Sequence, residues 1–129
     1  MKRIHWIEIG DEPWCPRGIR DGVTDYCRFV EEMSGAFNGV APLLAGALKK
    51  TGARRILDMA SGAGGPWLRL QPLLRQMGTD VPICLSDHNP NVEALERVRR
   101  LSGDSISYRS EPVDATQVPT ELTGFRTMF

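Results

Sequence analysis

The chain has 129 residues, 41% apolar and 25% charged, a mixture that supports one ordinary domain with a real core and excludes a disordered chain. Sixteen basic and sixteen acidic side chains cancel, with a pI near 6.7, so the bulk electrostatics ask for no polyanionic partner and nucleic acid is set aside. Glu8, Asp11 and Glu12 interrupt the N-terminal apolar residues before a signal-peptide core forms, and no segment approaches a membrane span. The expectation is a cytoplasmic protein with no membrane segment.

In chain order, Ile19, Val23, Tyr26, Val30 and Met33 recur at steps of four and three, which predicts a helix over residues 17–33 with these side chains on one face. The turn "GAFNG" breaks the pattern. A second helix follows, with Pro42 in its first turn, Leu43, Leu44, Ala47 and Leu48 as its apolar side, Lys49 and Lys50 at its negative end, and Gly52 as its C-cap.

From residue 53 onward, short apolar runs alternate with helical patterns, the signature of βαβ units and a parallel sheet. Arg55 to Met59 reads as a first strand and Val81 to Ser86 as a second, apolar enough for burial on both faces. Between them Pro66 to Met77 reads as a helix that Pro72 kinks or restarts. Asn89 and Pro90 read as N-cap and first residue of a further helix, with Val92, Leu95, Val98 and Leu101 inward and Glu93/Arg97 and Glu96/Arg100 paired outward. Ser105 to Arg109 is a third strand. After the turn-rich "VPTELTG", "GFRTMF" opens a fourth, at which the sequence stops.

The chemistry concentrates in "RRILDMASGAGGPW", Arg54 to Trp67. A dinucleotide fingerprint starting at Gly62 needs glycine where Trp67 stands, and a P-loop needs a Gly-Lys-Ser/Thr that is absent, so both standard phosphate readings fail. What remains is an acid at the strand end, Asp58, followed by Gly62, Gly64 and Gly65, which let a ligand approach the backbone. A carboxylate there repels a pyrophosphate and suits a ligand bearing positive charge. Each acid also has an ordinary alternative: Asp58 as a turn cap, Asp87 as an acid favouring the dipole of the next helix, Asp114 as turn chemistry. Trp14, Tyr26 and Phe29 are pocket-lining or core, and His88 reads as a solvent-exposed residue at a helix start. Cys15, Cys27 and Cys84, an odd set with wide gaps, share no ligand spacing with His5 or His88, so no metal site is expected.

"ILDMASGAGG" resembles the first motif of class I S-adenosylmethionine-dependent methyltransferases, where an acid closes the first strand and a G-x-G-x-G turn wraps the cofactor's amino acid part. Ala60 stands where the first glycine is usual. The resemblance implies a partial Rossmann-like α/β fold: an N-terminal helical cover over residues 1–52 and an incomplete cofactor-binding domain over 53–129 that ends at the fourth strand. It implies S-adenosyl-L-methionine as cofactor, held by Asp58, Ala60, Gly62 and Gly64. Asp87 would accept the ribose hydroxyls, and Asp114 and Ala115 would hold the adenine edge. Catalytic residues and the methyl acceptor are not specified. The chain is expected to be too short to act alone and to self-associate through the exposed edge of its last strand. The competing class is a non-catalytic nucleotide-binding or assembly module completed by a partner chain. A nicotinamide oxidoreductase fragment is disfavoured by Trp67 and Asp58.

Overall fold

The computed structural model describes Glu12 and residues 14–35, 37–122 and 124–129. Its elements run α1 (Arg17–Ser34), α2 (Val40–Thr51), β1 (Ile56–Met59), α3 (Trp67–Gln76), β2 (Ile83–Ser86), α4 (Val92–Leu101), β3 (Ile106–Tyr108) and β4 (Phe125–Thr127). The four strands form one all-parallel sheet in the order β3-β2-β1-β4. The molecule is therefore α/β, and its strand order, in which the chain reverses direction beside β1, is consistent with a Rossmann-like sheet.

Register explains the layering. Ile56 on β1 pairs with Ile83, which pairs with Ile106, and Phe125 stands opposite Ile56 on the other side. This row faces Leu44 and Leu48 of α2, Trp67, Leu70 and Leu74 of α3, and Leu95 and Val98 of α4, making one continuous core. On the reverse face Leu57, Cys84 and Ser107 stand in register and meet Pro82 and Leu122 around a cavity of about 180 Å³. The helices after the β1 and β2 strands thus cover one face, and the β3–β4 connection runs beneath the other.

Helix ends follow local chemistry. α2 closes on Gly52, whose backbone adopts φ 68° and whose N–H reaches the Leu48 carbonyl at 2.9 Å. α3 runs through Pro72 as one helix and does not restart there. The cap of α4 is Asn91, whose side chain accepts the Ala94 N–H at 3.2 Å. Asn89, expected to cap it, is committed elsewhere: its N–H donates to Asp87 and its side chain accepts from Arg20. Of the expected outward pairs on α4, Glu96–Arg100 forms at 3.5 Å, but the stronger partner of Glu96 is Arg99, which grips it with two nitrogens at 2.8 Å.

Three expected burials are corrected. Leu43 and Leu101 are exposed, lying just off the sides of α2 and α4 that meet the core. The larger correction concerns α1. Ile19, Val23, Tyr26, Val30 and Met33 do share a face, but it points to solvent, and the polar side of the helix turns toward the body. Trp14, Tyr26 and Phe29 are accordingly exposed rather than core.

Candidate functional site

The turn after β1 is built around a buried acid. Asp58 is fully buried, and both its carboxylate oxygens are engaged. Oδ2 accepts from the Trp67 indole Nε1 at 2.8 Å and the Ser61 hydroxyl at 2.9 Å, and Oδ1 accepts from Thr127 Oγ1 on β4 at 2.8 Å. Burial raises the Asp58 pKa, the three hydrogen bonds oppose that rise, and the charge of Asp87 adds to it. Below the ladder's end, Ser61 N–H donates to the Ser86 carbonyl and Ser86 Oγ to the Asp58 carbonyl, which locks the ends of β1 and β2 together. Asp58 therefore holds the turn from beneath. Trp67, the residue that defeats the dinucleotide fingerprint, is there to donate to it.

The turn itself passes through left-handed backbone at Ala60 (φ 61°), Gly62 (φ 54°) and Gly65 (φ 51°). Ala60 holds a conformation that glycine would adopt without strain. Gly64, at φ 108°, is required for another reason: a Cβ there would lie 2.5 Å from Val98 Cγ2, so its absence lets α4 pack against the turn.

Asp87, just past β2, joins the turn to the next loop. Its Oδ2 accepts the Gly62 N–H at 2.8 Å, its Oδ1 accepts the Asn89 N–H at 2.7 Å, and its carbonyl accepts the Val113 N–H at 2.8 Å. Each carboxylate oxygen keeps a second lone pair, and the residue is half-buried. Through Val113 the segment after β3 is drawn beside Asp87. Asp114 is exposed and accepts from the Thr116 hydroxyl at 2.6 Å and the Thr116 N–H at 2.8 Å, hydrogen bonds that lower its pKa. Neither Asp114 nor the half-buried Ala115 lines the cavities described next.

α1 lies across this edge with its polar side inward. Between it and the turn is a cavity of about 120 Å³ lined by Thr24, Cys27 and Arg28 of α1, with the partly exposed Val23 at its edge, by Ala60 and Gly62, and by Phe129. A second, of about 190 Å³, is lined by Arg17, Arg20 and Asp21 of α1 and by His88, Asn89 and Pro112. The Asp87 carboxylate bonds Gly62 in the wall of the first and Asn89 in the wall of the second, and itself lines neither. Both cavities lie at the carboxyl ends of the parallel strands, where such sheets bind ligands. Phe129 packs edge-on to both Trp67 and Phe37, with ring centroids 5.3 and 5.4 Å apart, and closes one end.

The sequence reading thus brings together Asp58, Ala60, Gly62, Gly64 and Asp87, with Asp114 and Ala115 adjacent through Val113. It missed Thr24 and Arg28. Their signal was present: Arg20, Thr24 and Arg28 recur at i, i+4 and i+8, the polar counterpart of the apolar stripe on α1. Among the described residues, no group of His, Cys, Asp and Glu could hold a metal ion, and no helix is long and apolar enough to cross a membrane. Comparison with protein-family models, curated proteins and solved structures gave no match.

Proposed function

We propose that this chain is the cofactor-binding part of an S-adenosylmethionine-dependent methyltransferase. The observation that carries the reading is the Asp87 carboxylate. It sits just past the end of the second strand, bonds the amides of Gly62 in the glycine turn and of Asn89, one residue from each of the two cavities, and keeps a second lone pair on each oxygen.

The residues fit the cofactor in three respects. A carboxylate with spare acceptors, bonded to one wall residue of each cavity, matches a ribose diol. Gly62 and Ala60, with Thr24 and Arg28 opposite, form a compartment suited to an amino acid moiety, whose carboxylate the Arg28 cation would neutralise. The segment with His88 and Pro112, and Asp114 with Ala115 beyond it, borders the end suited to a base. The buried negative charge of Asp58 lies 3.9 Å from where a Gly65 Cβ would be, so it acts through the turn and favours a cation above it without touching it.

When bound, the cofactor supplies a methyl group on a sulfonium, activated for in-line displacement. The chain's own contribution is to bind, orient and exclude water: Asp87 fixes the middle of the ligand, the turn fixes one end, and α1 closes above. Heating the protein with S-adenosylmethionine tests this. Ligand at about a hundred times its Kd should stabilise the fold by about 2.7 kcal/mol, and NADH at equal concentration should not. Asp87→Asn keeps a carbonyl oxygen for a loop amide and should still melt cooperatively while losing the ligand shift. A cooperatively melting wild-type sample that S-adenosylmethionine leaves unshifted overturns the reading, as does an equal shift with NADH.

A further inference from the structure

α1 stands apart from the core beside it. Helices α2, α3 and α4 each bury three or four side chains, whereas none of the described α1 side chains is buried and none belongs to the core cluster. Its apolar stripe, Ile19, Val23, Tyr26, Val30 and Met33, is between 42% and 73% exposed, so the burial that holds the other helices is missing here. Its ends add little: among the described residues no side chain caps the first turn, no acid stands in that turn, and no base stands in the last.

A polar tie joins α1 to the loop after β2. Arg17 pairs with Asp21 and the Thr24 hydroxyl donates to the Asp21 carbonyl, both within the helix. Arg20 reaches out of it: one nitrogen donates to the Asn89 side-chain oxygen at 3.4 Å and another to the Glu12 carbonyl at 3.1 Å. Asn89 in turn donates its N–H to Asp87, so the tie ends on the acid that also holds Gly62. The docked position carries a cost as well. Asp25, on the half-buried side of α1, keeps Oδ1 buried with no hydrogen-bond partner.

We infer that α1 opens as a unit while the core stays folded, and that the Arg20–Asn89 hydrogen bond is the latch that holds it shut. Because Thr24 and Arg28 wall the first cavity and Arg17, Arg20 and Asp21 the second, one opening uncovers both. This holds whichever ligand the cavities take. Off the body the helix does not persist: 18 residues are marginal for an isolated helix in water, and Gly18 and Gly22 weaken this one further. Lifting and unwinding therefore go together, and amide exchange reads both.

Hydrogen–deuterium exchange of the full chain, read by mass spectrometry across a urea series below the unfolding transition, tests this. The α1 amides should exchange faster than those of α2, α4, β1 and β2 and depend less on urea, the mark of an opening that exposes little surface. Arg20→Gln, which barely alters helix propensity, should speed α1 exchange about fivefold, the worth of one ordinary hydrogen bond. Asn89→Ala lies outside the helix and keeps the N–H bonded to Asp87; it should have the same effect, and the two combined should add nothing further. Exchange of α1 together with the core, at the same urea dependence, overturns the proposal. An α1 whose exchange Asn89→Ala leaves unchanged overturns the latch, as does a double variant whose effects add.

Discussion

At the scale of single residues, Asp58 and Ala60 decide how the turn is built, and each makes a measurable claim. Thr127 donates to Asp58 at 2.8 Å, so Thr127→Val, which keeps the shape and removes the donor, should destabilise the fold by about 1–2 kcal/mol at neutral pH in urea titrations. The pH dependence has a definite sign. Burial raises the folded-state pKa of Asp58 above its unfolded value of 3.8, so its ionised form opposes folding at neutral pH. That opposition is relieved as pH falls through the raised pKa. The hydrogen bond matters most to the ionised acid, so the gap between wild type and Thr127→Val should narrow over the same range. A gap that widens on acidification would show that Thr127 acts through packing. Ala60 has φ 61°, where an L residue is strained by about 1–2 kcal/mol, against which glycine's extra unfolded-state freedom is worth about 0.4–1 kcal/mol. Ala60→Gly should therefore raise stability by about 0.5–1 kcal/mol, and a loss would mean that the methyl group packs favourably in the cavity wall.

At the scale of elements, the sequence was most readable where apolar runs and turn residues agree. All four strands and the glycine turn stand where the apolar runs and glycines put them, because a buried parallel strand needs a short unbroken apolar run and the turn needs residues tolerant of positive φ. α1 marks the boundary of that legibility. Its period revealed which side chains share a face, yet a period carries no information about which face the body receives, and it is the side with Arg20, Asp21, Asp25 and Arg28 that turns inward. Asn89 and Asn91 posed a similar ambiguity, resolved by a hydrogen bond to Asp87 that no local pattern announces. On α4, Glu96 receives Arg99 on both oxygens and Tyr108 OH at 3.1 Å, which pulls its pKa down to about 2. A depressed carboxylate supports folding fully above the unfolded value of 4.5 and loses that support as pH falls toward 2. Glu96→Gln should accordingly lose less stability than wild type between those pH values, measured by denaturant midpoints, and an unchanged acid limb would assign no stabilising role to the Arg99 clamp.

At the scale of the molecule, the two faces of the sheet are covered unequally, and the thiols report it. Cys27 on α1 is exposed, Cys84 lines the cavity on the reverse face and is half-buried, and Cys15 is buried. In dilute native protein, labelling followed by mass spectrometry should modify Cys27 first, Cys84 more slowly, and Cys15 only on unfolding. Equal protection of Cys84 and Cys15 would mean that the β3–β4 connection seals the reverse face. The reach of the Asp58 network has a further implication, for the order in which the protein can take shape. Its Trp67 and Ser61 donors lie within nine residues of the acid, but Thr127 is 69 positions away. During synthesis β1, β2 and β3 are all made before that donor, so the first strand waits for the partner that completes the hydrogen bonding of its acid. The turn after β1 gains its full set of hydrogen bonds only when β4 docks beside it, so a strand made 69 residues later completes the first.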